Sequence, residues 1–303
     1  MDPLSDILSL MKPRSAYMVG LDAGGDWALA FPGFEGIKFN AVTQGRGWLA
    51  VEGEPEPLPL AEGDCFLMTR GRPFTLASDP SVPPVPGETV YATAREGIAT
   101  CNGGGDFFLV GGRFAFAADY AETLFASLPA VVVVRETSDQ APVLRWALAQ
   151  LAGELRQRRP GGYLVIDHLA HLMLVQVLRL YLDTQARPGV GWLQALADRR
   201  LARVLGALHA DPARRWTLEE LAGVAGLSRS AFAERFRRLV GAPPMDYLTR
   251  WRMLVAADRL RHSRESVASV ALAVGYESES AFSTAFKRIM ASSPRQLRLR
   301  QAI

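Results

Sequence analysis

A short unit that could contact a nucleic acid occurs twice in the last third of the chain. Ser230-Ala231-Phe232 recurs as Ser280-Ala281-Phe282, and a second Phe follows each copy four residues later. A basic pair comes next in both copies, Arg237-Arg238 and Lys287-Arg288. Arg and Lys bind phosphates and guanine edges, and Ser and Thr hydroxyls can hydrogen-bond to bases. The repeat predicts two similar surfaces that enter successive major grooves of double-stranded DNA.

Helical periodicity separates a buried and an outward face in each copy. Apolar residues recur at i, i+4 and i+7 and predict the buried face, with Phe232, Phe236 and Leu239 in the first copy and Phe282, Phe286 and Ile289 in the second. The side chains opposite them either contact DNA or only form a solvated helix face. The residues predicted to bind DNA are Ser228, Arg229, Ser230, Ala233, Glu234, Arg237, Arg252, Glu279, Ser280, Ser283, Thr284 and Lys287.

The outward residues differ between the copies, so each copy is expected to read different bases. Arg229 can pair with guanine, and Thr284 can meet a base or a thymine methyl group. Glu234 and Glu279 are expected to accept from cytosine N4 or to restrain a neighbouring Arg. Arg252 lies outside both helices and is expected to bind phosphate whatever the sequence.

Capping and turn signals define the helices that must position these residues. Thr217 with Glu220 three residues later is a capping box, and Gly226 supplies a tight turn before the first outward helix. A single helix is predicted over 193–209 ahead of this unit. A long helix over 246–263, roughly 25 Å at 1.5 Å per residue, is predicted to connect the two copies.

Charge is distributed unevenly along the chain. The net charge of all 303 residues is +3, but residues 214–303 carry 16 Lys+Arg against 8 Asp+Glu, a net of +8. The rest of the chain is therefore acidic, with a net of −5. This asymmetry indicates that the C-terminal third meets a polyanion.

Neither the N-terminus nor the most apolar stretch has the pattern of a targeting or membrane segment. The first residues lack a basic segment followed by an apolar core, so no signal peptide is predicted. Residues 164–182 are interrupted by Asp167, His168, His171 and Arg179 and are judged too polar to span a bilayer. The two cysteines cannot form a disulfide framework. The sequence predicts a cytoplasmic protein without a membrane partner.

Residues 1–135 read as β structure, and the remainder as helix. Short apolar runs such as Ile37–Val42 and Cys65–Met68 alternate with glycine turns, as in a small barrel or sandwich. Residues 136–186 form a helical region in which the helix over 164–184 is apolar on nearly every side. That helix is either internal core or a contact between two copies, and we favour a dimer. The fold class is multidomain α+β, ending in an all-α domain over 190–303.

The repeated unit resembles the AraC-type family of bacterial transcription regulators. Thr217–Ala222, Ser228–Phe232 and Val274–Ser278 carry that resemblance, while Leu21–Gly25 and Leu76–Pro80 are similar to the cupin-like sensor domain that often precedes it. The resemblance implies a cupin-like sensor barrel over 1–135, a dimerisation region over 136–186 and a double helix-turn-helix domain over 190–303. It implies a DNA-binding transcription regulator that couples a small-molecule or redox signal to promoter binding. The expected partners are a second copy of the chain, in a homodimer, and RNA polymerase.

The chain departs from the cupins that are metal enzymes. Asn40 and Phe74 stand where ligating His residues would be expected, and no His precedes His168. We therefore predict no enzymatic activity, no metal and no cofactor. His168 and His171 at i, i+3 could clamp a metal, although two polar positions on a packed helix are the simpler interpretation.

Apolar and aromatic side chains of the barrel are candidates for an effector pocket, and they are equally compatible with an ordinary barrel core. The pocket candidates are Phe39, Asn40, Trp48, Phe66, Phe74 and Tyr91. Cys101, beside a glycine run, is the candidate redox sensor, whereas Cys65 is interpreted as a core residue. The alternative function is a constitutive DNA-binding regulator whose barrel only mediates dimerisation or protein contacts.

Overall fold

A computed structural model describes residues 2–11, 14–115, 128–135, 141–157, 159–184 and 191–299. These residues form two compact units. The residues between 13 and 184 make one unit, and the first 12 residues join those from 185 onward in the other. The predicted division placed the first residues with the barrel and gave residues 136–186 a region of their own. The observed grouping instead joins the first 12 residues to the C-terminal helices and the residues up to 184 to the barrel.

The described strands of the first unit form two sheets. Their bounds are β1 Arg14–Ala23, β2 Ala28–Phe31, β3 Ile37–Gln44, β4 Arg46–Val51, β5 Leu58–Ala61, β6 Cys65–Met68, β7 Phe74–Ala77, β8 Val85–Pro86, β9 Ile98–Cys101, β10 Phe107–Ala115 and β11 Val131–Val134, with a short helix α2 at Gly87–Tyr91. One sheet has the order β11-β6-β3-β10-β1-β9 and the other β5-β4-β7-β2-β8. The core lies between them, since residues of both sheets, such as Leu21 and Leu49, pack in one buried cluster.

The register of β3 against β10 decides which side chains face that core. Lys38 pairs with Arg113, Asn40 with Gly111 and Val42 with Leu109. Because successive side chains of a strand alternate between faces, these pairs share the inner face. Phe39 and Ala41 therefore lie on the outer face of the same sheet.

Two helices, α3 at Ala141–Gln157 and α4 at Gly162–Thr184, pack against each other and against the larger sheet. The Arg156 guanidinium lies 4.4 Å from the Phe108 ring centroid, and the His171 ring lies 5.8 Å from that of Phe114. Met173 and Leu178 of α4 are fully buried. The sequence had allowed either an internal or an interface role for α4, and this part of the helix is internal core.

The start of α4 is different, because Tyr163 is 72% and Leu164 63% exposed. By length and composition, Gly162–Asp183, with a mean hydropathy of 1.4, meets the criterion for a helix that could cross a membrane. The buried residues of this helix, such as Met173 and Leu178, pack inside the same unit, as those of a core helix do.

The second unit is helical. Its described helices are α1 Pro3–Met11, α5 Trp192–Ala197, α6 Arg199–Ala210, α7 Leu218–Ala225, α8 Arg229–Val240, α9 Pro244–His262, α10 Val267–Ala273, α11 Glu279–Met290 and α12 Pro294–Leu299. The predicted helix over 193–209 is divided at Asp198, whose carboxylate accepts from the backbone N–H groups of Arg200 at 2.9 Å and Leu201 at 3.2 Å. Asp198 thus caps α6 and ends the preceding helix.

Two buried clusters support the two copies of the repeat, and α9 contributes to both. Leu248 of α9 belongs to the cluster that contains Phe232 and Phe236. Met253 and Leu260 of α9 belong to the cluster with Phe282 and Phe286. The connecting helix is therefore part of both cores, which fixes the two copies relative to each other within this unit.

Helix α1 packs on α6 and α9, an arrangement that the sequence did not suggest. Ile7 and Met11 are buried, and an Asp6 carboxylate oxygen lies 3.5 Å from Nδ1 of His209. The His209 ring stacks on Trp251 with centroids 3.7 Å apart, and its Nε2 is hydrogen-bonded to the Tyr247 hydroxyl at 2.7 Å. Burial lowers the pKa of His209 to about 3.

Candidate nucleic-acid interface and barrel cavity

Side-chain caps start the helices of both copies where the sequence predicts. In the capping box of α7, the Thr217 hydroxyl accepts from the Glu220 N–H at 3.2 Å, and the Glu220 carboxylate accepts from the Thr217 N–H at 2.7 Å. Ser228 caps α8 by accepting from the Ala231 N–H at 3.4 Å. Ser278 caps α11 in the same way, at 3.2 Å from the Ala281 nitrogen.

The turns between the paired helices need glycine. Gly226 is left-handed, with φ +63°, and no atom lies near its missing Cβ. Gly275 has φ +84°, and a Cβ there would lie 2.4 Å from the carbonyl oxygen of Ala213. Gly275 therefore meets both a conformational and a steric requirement. The sequence predicted the turn but not the close approach.

The two outward helices have the same pattern of burial, position by position. Phe232 and Phe236 of α8 are 0% exposed, as are Phe282 and Phe286 of α11. The Phe rings of each pair contact one another, with centroids 5.6 Å apart in α8 and 5.4 Å in α11. The same face of each helix is therefore anchored by a pair of Phe rings. The opposite faces of α8 and α11 are exposed at equivalent positions.

Nearly all the residues predicted to bind DNA lie on this outward surface. Exposed on α8 and its cap are Ser228, Arg229, Ser230, Glu234 and Arg237, and on α11 they are Glu279, Ser280, Thr284 and Lys287, while Ala233 and Ser283 are half-buried. The Glu279 carboxylate lies 3.7 Å from the Arg295 guanidinium, a geometry compatible with the expected restraint of an Arg. The Thr284 hydroxyl donates to the Ser280 carbonyl at 3.0 Å.

Arg252 has hydrogen-bond partners inside the protein. Its Nε donates to the Pro212 carbonyl at 2.6 Å, and its Nη2 donates to the Arg214 carbonyl at 2.9 Å. The guanidinium also lies 5.9 Å from the Tyr276 ring centroid, and burial lowers its pKa. Arg252 holds α9 to the loop before α7 through two of its N–H donors. This geometry favours a structural role for Arg252 over the phosphate contact that the sequence suggests.

Arg235 is a second basic residue with a structural role, which sequence analysis missed. It lies between the outward residues of α8, yet its Nε donates to the Asp198 carboxylate at 2.7 Å. The same carboxylate caps α6, so one ion pair orients α8 against the preceding helix. Arg237 and Lys287, by contrast, form no ion pair with any residue that the structure describes.

The barrel unit contains a cavity of about 720 Å³. Three of the predicted pocket residues, Asn40, Phe74 and Tyr91, line it. Phe39 lies on the outer face of β3, Trp48 is half-buried on the side of β4 opposite Leu49, and Phe66 belongs to the buried core. The interior is therefore partly pocket and partly core.

Lys38 and Arg113 line the cavity and were not among the predicted pocket residues. The Lys38 Nζ lies 4.5 Å from the ring centroid of Phe74, 4.7 Å from that of Phe34 and 5.4 Å from that of Phe31. Burial, with a further contribution from Arg113, lowers the pKa of Lys38 to about 8. The alternation of Lys38 with Asn40 along β3 was the available signal.

Neither cysteine has the environment of an activated thiol. Burial and the neighbouring Asp64 raise the pKa of Cys65 to about 12, and burial raises that of Cys101. A raised pKa disfavours the thiolate, which is the form that reacts with oxidants.

The histidine pair of α4 lies beside the Asp167 carboxylate, whose Oδ2 is 4.0 Å from His168 Nδ1 and 3.6 Å from His171 Nδ1. His171 Nδ1 lies 2.6 Å from the Asp167 carbonyl, and His168 is mostly exposed. Within the described residues, no group of three or more His, Cys, Asp or Glu side chains could hold a metal ion.

Sequence comparison places this architecture among known proteins. A cupin family profile matches residues 2–183, and a helix-turn-helix domain profile matches residues 221–300. The chain is 48% identical over 294 residues to a protein of Streptomyces lividans named as an AraC-like transcription regulator, covering 97% of each. It is 29% identical over 305 residues to the HTH-type transcriptional regulator MtrA of Neisseria gonorrhoeae, covering 98% of each. Among solved structures, the DNA-binding domain of AdpA in complex with a target DNA is 36% identical, covering 33% of this chain and 89% of that one, with a TM-score of 0.31.

Proposed function

Because the chain belongs to the AraC family of DNA-binding transcription regulators and carries a cupin domain, we propose that it couples a small-molecule signal received in the barrel to promoter binding. The observation that carries this proposal is the presence, in one chain, of two matched outward helices and a separate barrel unit with a lined cavity of about 720 Å³. Cavities of this size and apolar make-up are common ligand sites.

The DNA contacts are proposed from the equivalent exposure of α8 and α11. Arg229 and Glu234 on the first helix, with Thr284 and Lys287 on the second, are positioned to meet base edges or phosphates in successive major grooves. The clusters around Phe232 and Phe282 hold each helix by its opposite face. Arg229→Ala and Thr284→Ala should change the preferred bases in different parts of one site, because each helix reads its own groove segment.

A selection experiment tests the division of labour between the helices. The full chain and the two variants would be incubated with a random-sequence DNA library, and the bound sequences would be read out. Changes confined to separate blocks of the selected site support the proposal. A shift of the whole site in both variants, or no change in either, would contradict it.

The proposed dimer rests on exposed apolar side chains of the helical hairpin. Trp146 is 55%, Tyr163 72% and Leu164 63% exposed, whereas Leu178, further along the same apolar helix, is fully buried. Large exposed apolar groups are typical of a contact surface. Tyr163→Glu with Leu164→Glu should give a folded monomer, detected by sedimentation, that binds its promoter more weakly.

The alternative is a regulator that binds DNA constitutively and uses the barrel only for assembly or protein contacts. A thermal-shift screen of small molecules on the full chain, followed by DNA binding with each hit, separates the two. A ligand that stabilises the protein and changes DNA affinity favours the coupled function. We place the protein in the cytoplasm, where both DNA and RNA polymerase, a further proposed partner, are accessible.

A further inference from the structure

The floor of the barrel cavity contains two positive charges on adjacent strands. Lys38 of β3 and Arg113 of β10 are directly opposite each other in the antiparallel register, and both line the cavity. Side chains opposite each other in such a pair lie about 5 Å apart at Cβ, and like charges there repel. Arg113 contributes to the lowering of the Lys38 pKa, as this proximity requires.

No acidic group that the structure describes neutralises these charges. Within the described part of the chain, neither Lys38 nor Arg113 forms an ion pair with a carboxylate. Glu35 and Glu88 also line the cavity, but both are solvent-exposed. Three aromatic rings surround the Lys38 ammonium at 4.5–5.4 Å and shield it from water, so the ammonium receives cation–π contacts but no anionic partner among the described residues.

A neutral donor next to the two cations also lacks a partner. Asn40 is only 6% exposed, and its Nδ2 has no hydrogen-bond partner among the residues that the structure describes. It lies opposite Gly111, where a Cβ would come within 2.6 Å of the Asn40 Oδ1, so the glycine makes room for the amide. A buried donor left without an acceptor is costly, and such groups commonly receive a ligand or water.

The geometry points to an organic carboxylic acid as the ligand of this cavity, with its carboxylate between Lys38 and Arg113 and its apolar body against the aromatic wall. The carboxylate accepts from the ammonium, the guanidinium and Asn40 Nδ2. The stacked rings of Phe31 and Phe74, with centroids 4.7 Å apart, and Tyr91, 5.7 Å from Phe31, form the apolar wall. This inference rests on the proposed function, in which the barrel receives the signal.

Matched acids and neutral analogues test the charge requirement. Binding of 3-phenylpropionate and octanoate to the full chain would be measured by calorimetry beside the corresponding amides. We expect each acid to bind at least about tenfold more tightly than its amide, because the charge-assisted contacts are absent from the amide. Lys38→Met and Arg113→Met should each remove most of this preference, whereas Arg95→Met, at an exposed position outside the cavity, should retain it.

A second variant tests the unpaired cations without any ligand. Asn40→Asp places a carboxylate beside Lys38 and Arg113 at nearly constant shape, so it should raise the melting temperature and abolish the preference for acids.

Equal binding of acid and amide, no binding of either acid, or acid binding unchanged in Lys38→Met and Arg113→Met would overturn the inference. DNA affinity would be measured separately. If the acids bind as expected and DNA affinity stays the same, the ligand class stands and the proposed coupling to promoter binding fails.

Discussion

Loss of Arg237 and Lys287 should reduce the salt dependence of DNA binding by a calculable amount. The two residues occupy equivalent positions on α8 and α11, both are exposed, and neither is paired with a described carboxylate. Each is therefore free to neutralise one phosphate. Every phosphate contact contributes about 0.9 to the slope of log K against log salt, so the double variant Arg237→Ala, Lys287→Ala should lose about 1.8. Between about 50 and 200 mM salt, wild-type affinity should then fall about 12-fold more than that of the variant.

Fluorescence anisotropy with a labelled random-sequence duplex is a suitable assay, because phosphate contacts do not depend on base sequence. The matched control is Arg95→Ala, Arg159→Ala, which removes two exposed charges from the barrel unit. Its slope should equal that of the wild type. An unchanged slope in the recognition-helix variant, or an equal loss in the control, would refute the assignment of these helices to the DNA surface.

Three further predictions concern the scaffold of the DNA-binding unit. Gly275→Ala should lower the free energy of unfolding more than Gly226→Ala does, because only the Cβ at position 275 meets a neighbouring carbonyl oxygen. Gly226→Ala bears only the left-handed backbone cost of about 1 kcal/mol. Chemical denaturation of both variants tests this. Arg252→Ala should lower thermal stability without changing the salt slope, because its guanidinium binds carbonyls and not phosphate; a slope reduced by about 0.9 would contradict this. Burial depresses the folded-state pKa of His209 to about 3, whereas the pKa in the unfolded chain is about 6.5. Between these two values the unfolded chain binds more protons than the folded chain. The free energy of unfolding should therefore fall as pH falls through this window. His209→Gln should flatten that dependence in melts from pH 7 to 4, and an identical profile would exclude His209 as its source.

Much of the DNA-binding unit could be predicted from sequence because its determinants are local. The capping box of Thr217 and Glu220, the caps at Ser228 and Ser278 and the glycine turns each depend on residues a few positions apart. Helical periodicity alone placed Phe232 and Phe282 inside, and the structure buries both completely. The AraC-type resemblance and the multidomain α+β fold class are likewise confirmed. The exposed charges of α8 and α11 follow from the same periodicity, and their contacts with DNA stay a prediction.

The barrel cavity could be predicted only in part, because its lining depends on strand register. A shift of one residue moves a side chain to the other face of a sheet. Phe39 and Trp48 were grouped with Asn40 by residue type, but the register places Phe39 outside and Lys38 inside. Lys38 lies opposite Arg113, 75 residues later in the sequence, only because β3 and β10 pair in this register.

Sequence by itself determined the elements of the DNA-binding unit and the faces its helices bury, since periodicity, caps and turns act over a few residues. Tertiary structure alone decided which charges are free and which are engaged. Arg252 and Arg235 are occupied by Pro212, Arg214 and Asp198, at separations in sequence that no local pattern reveals. The docking of α1, which brings Asp6 within 3.5 Å of His209, is a further contact between distant segments. Internal partners reduce what a charged side chain can offer to DNA or ligand, and those partners depend on packing between distant segments.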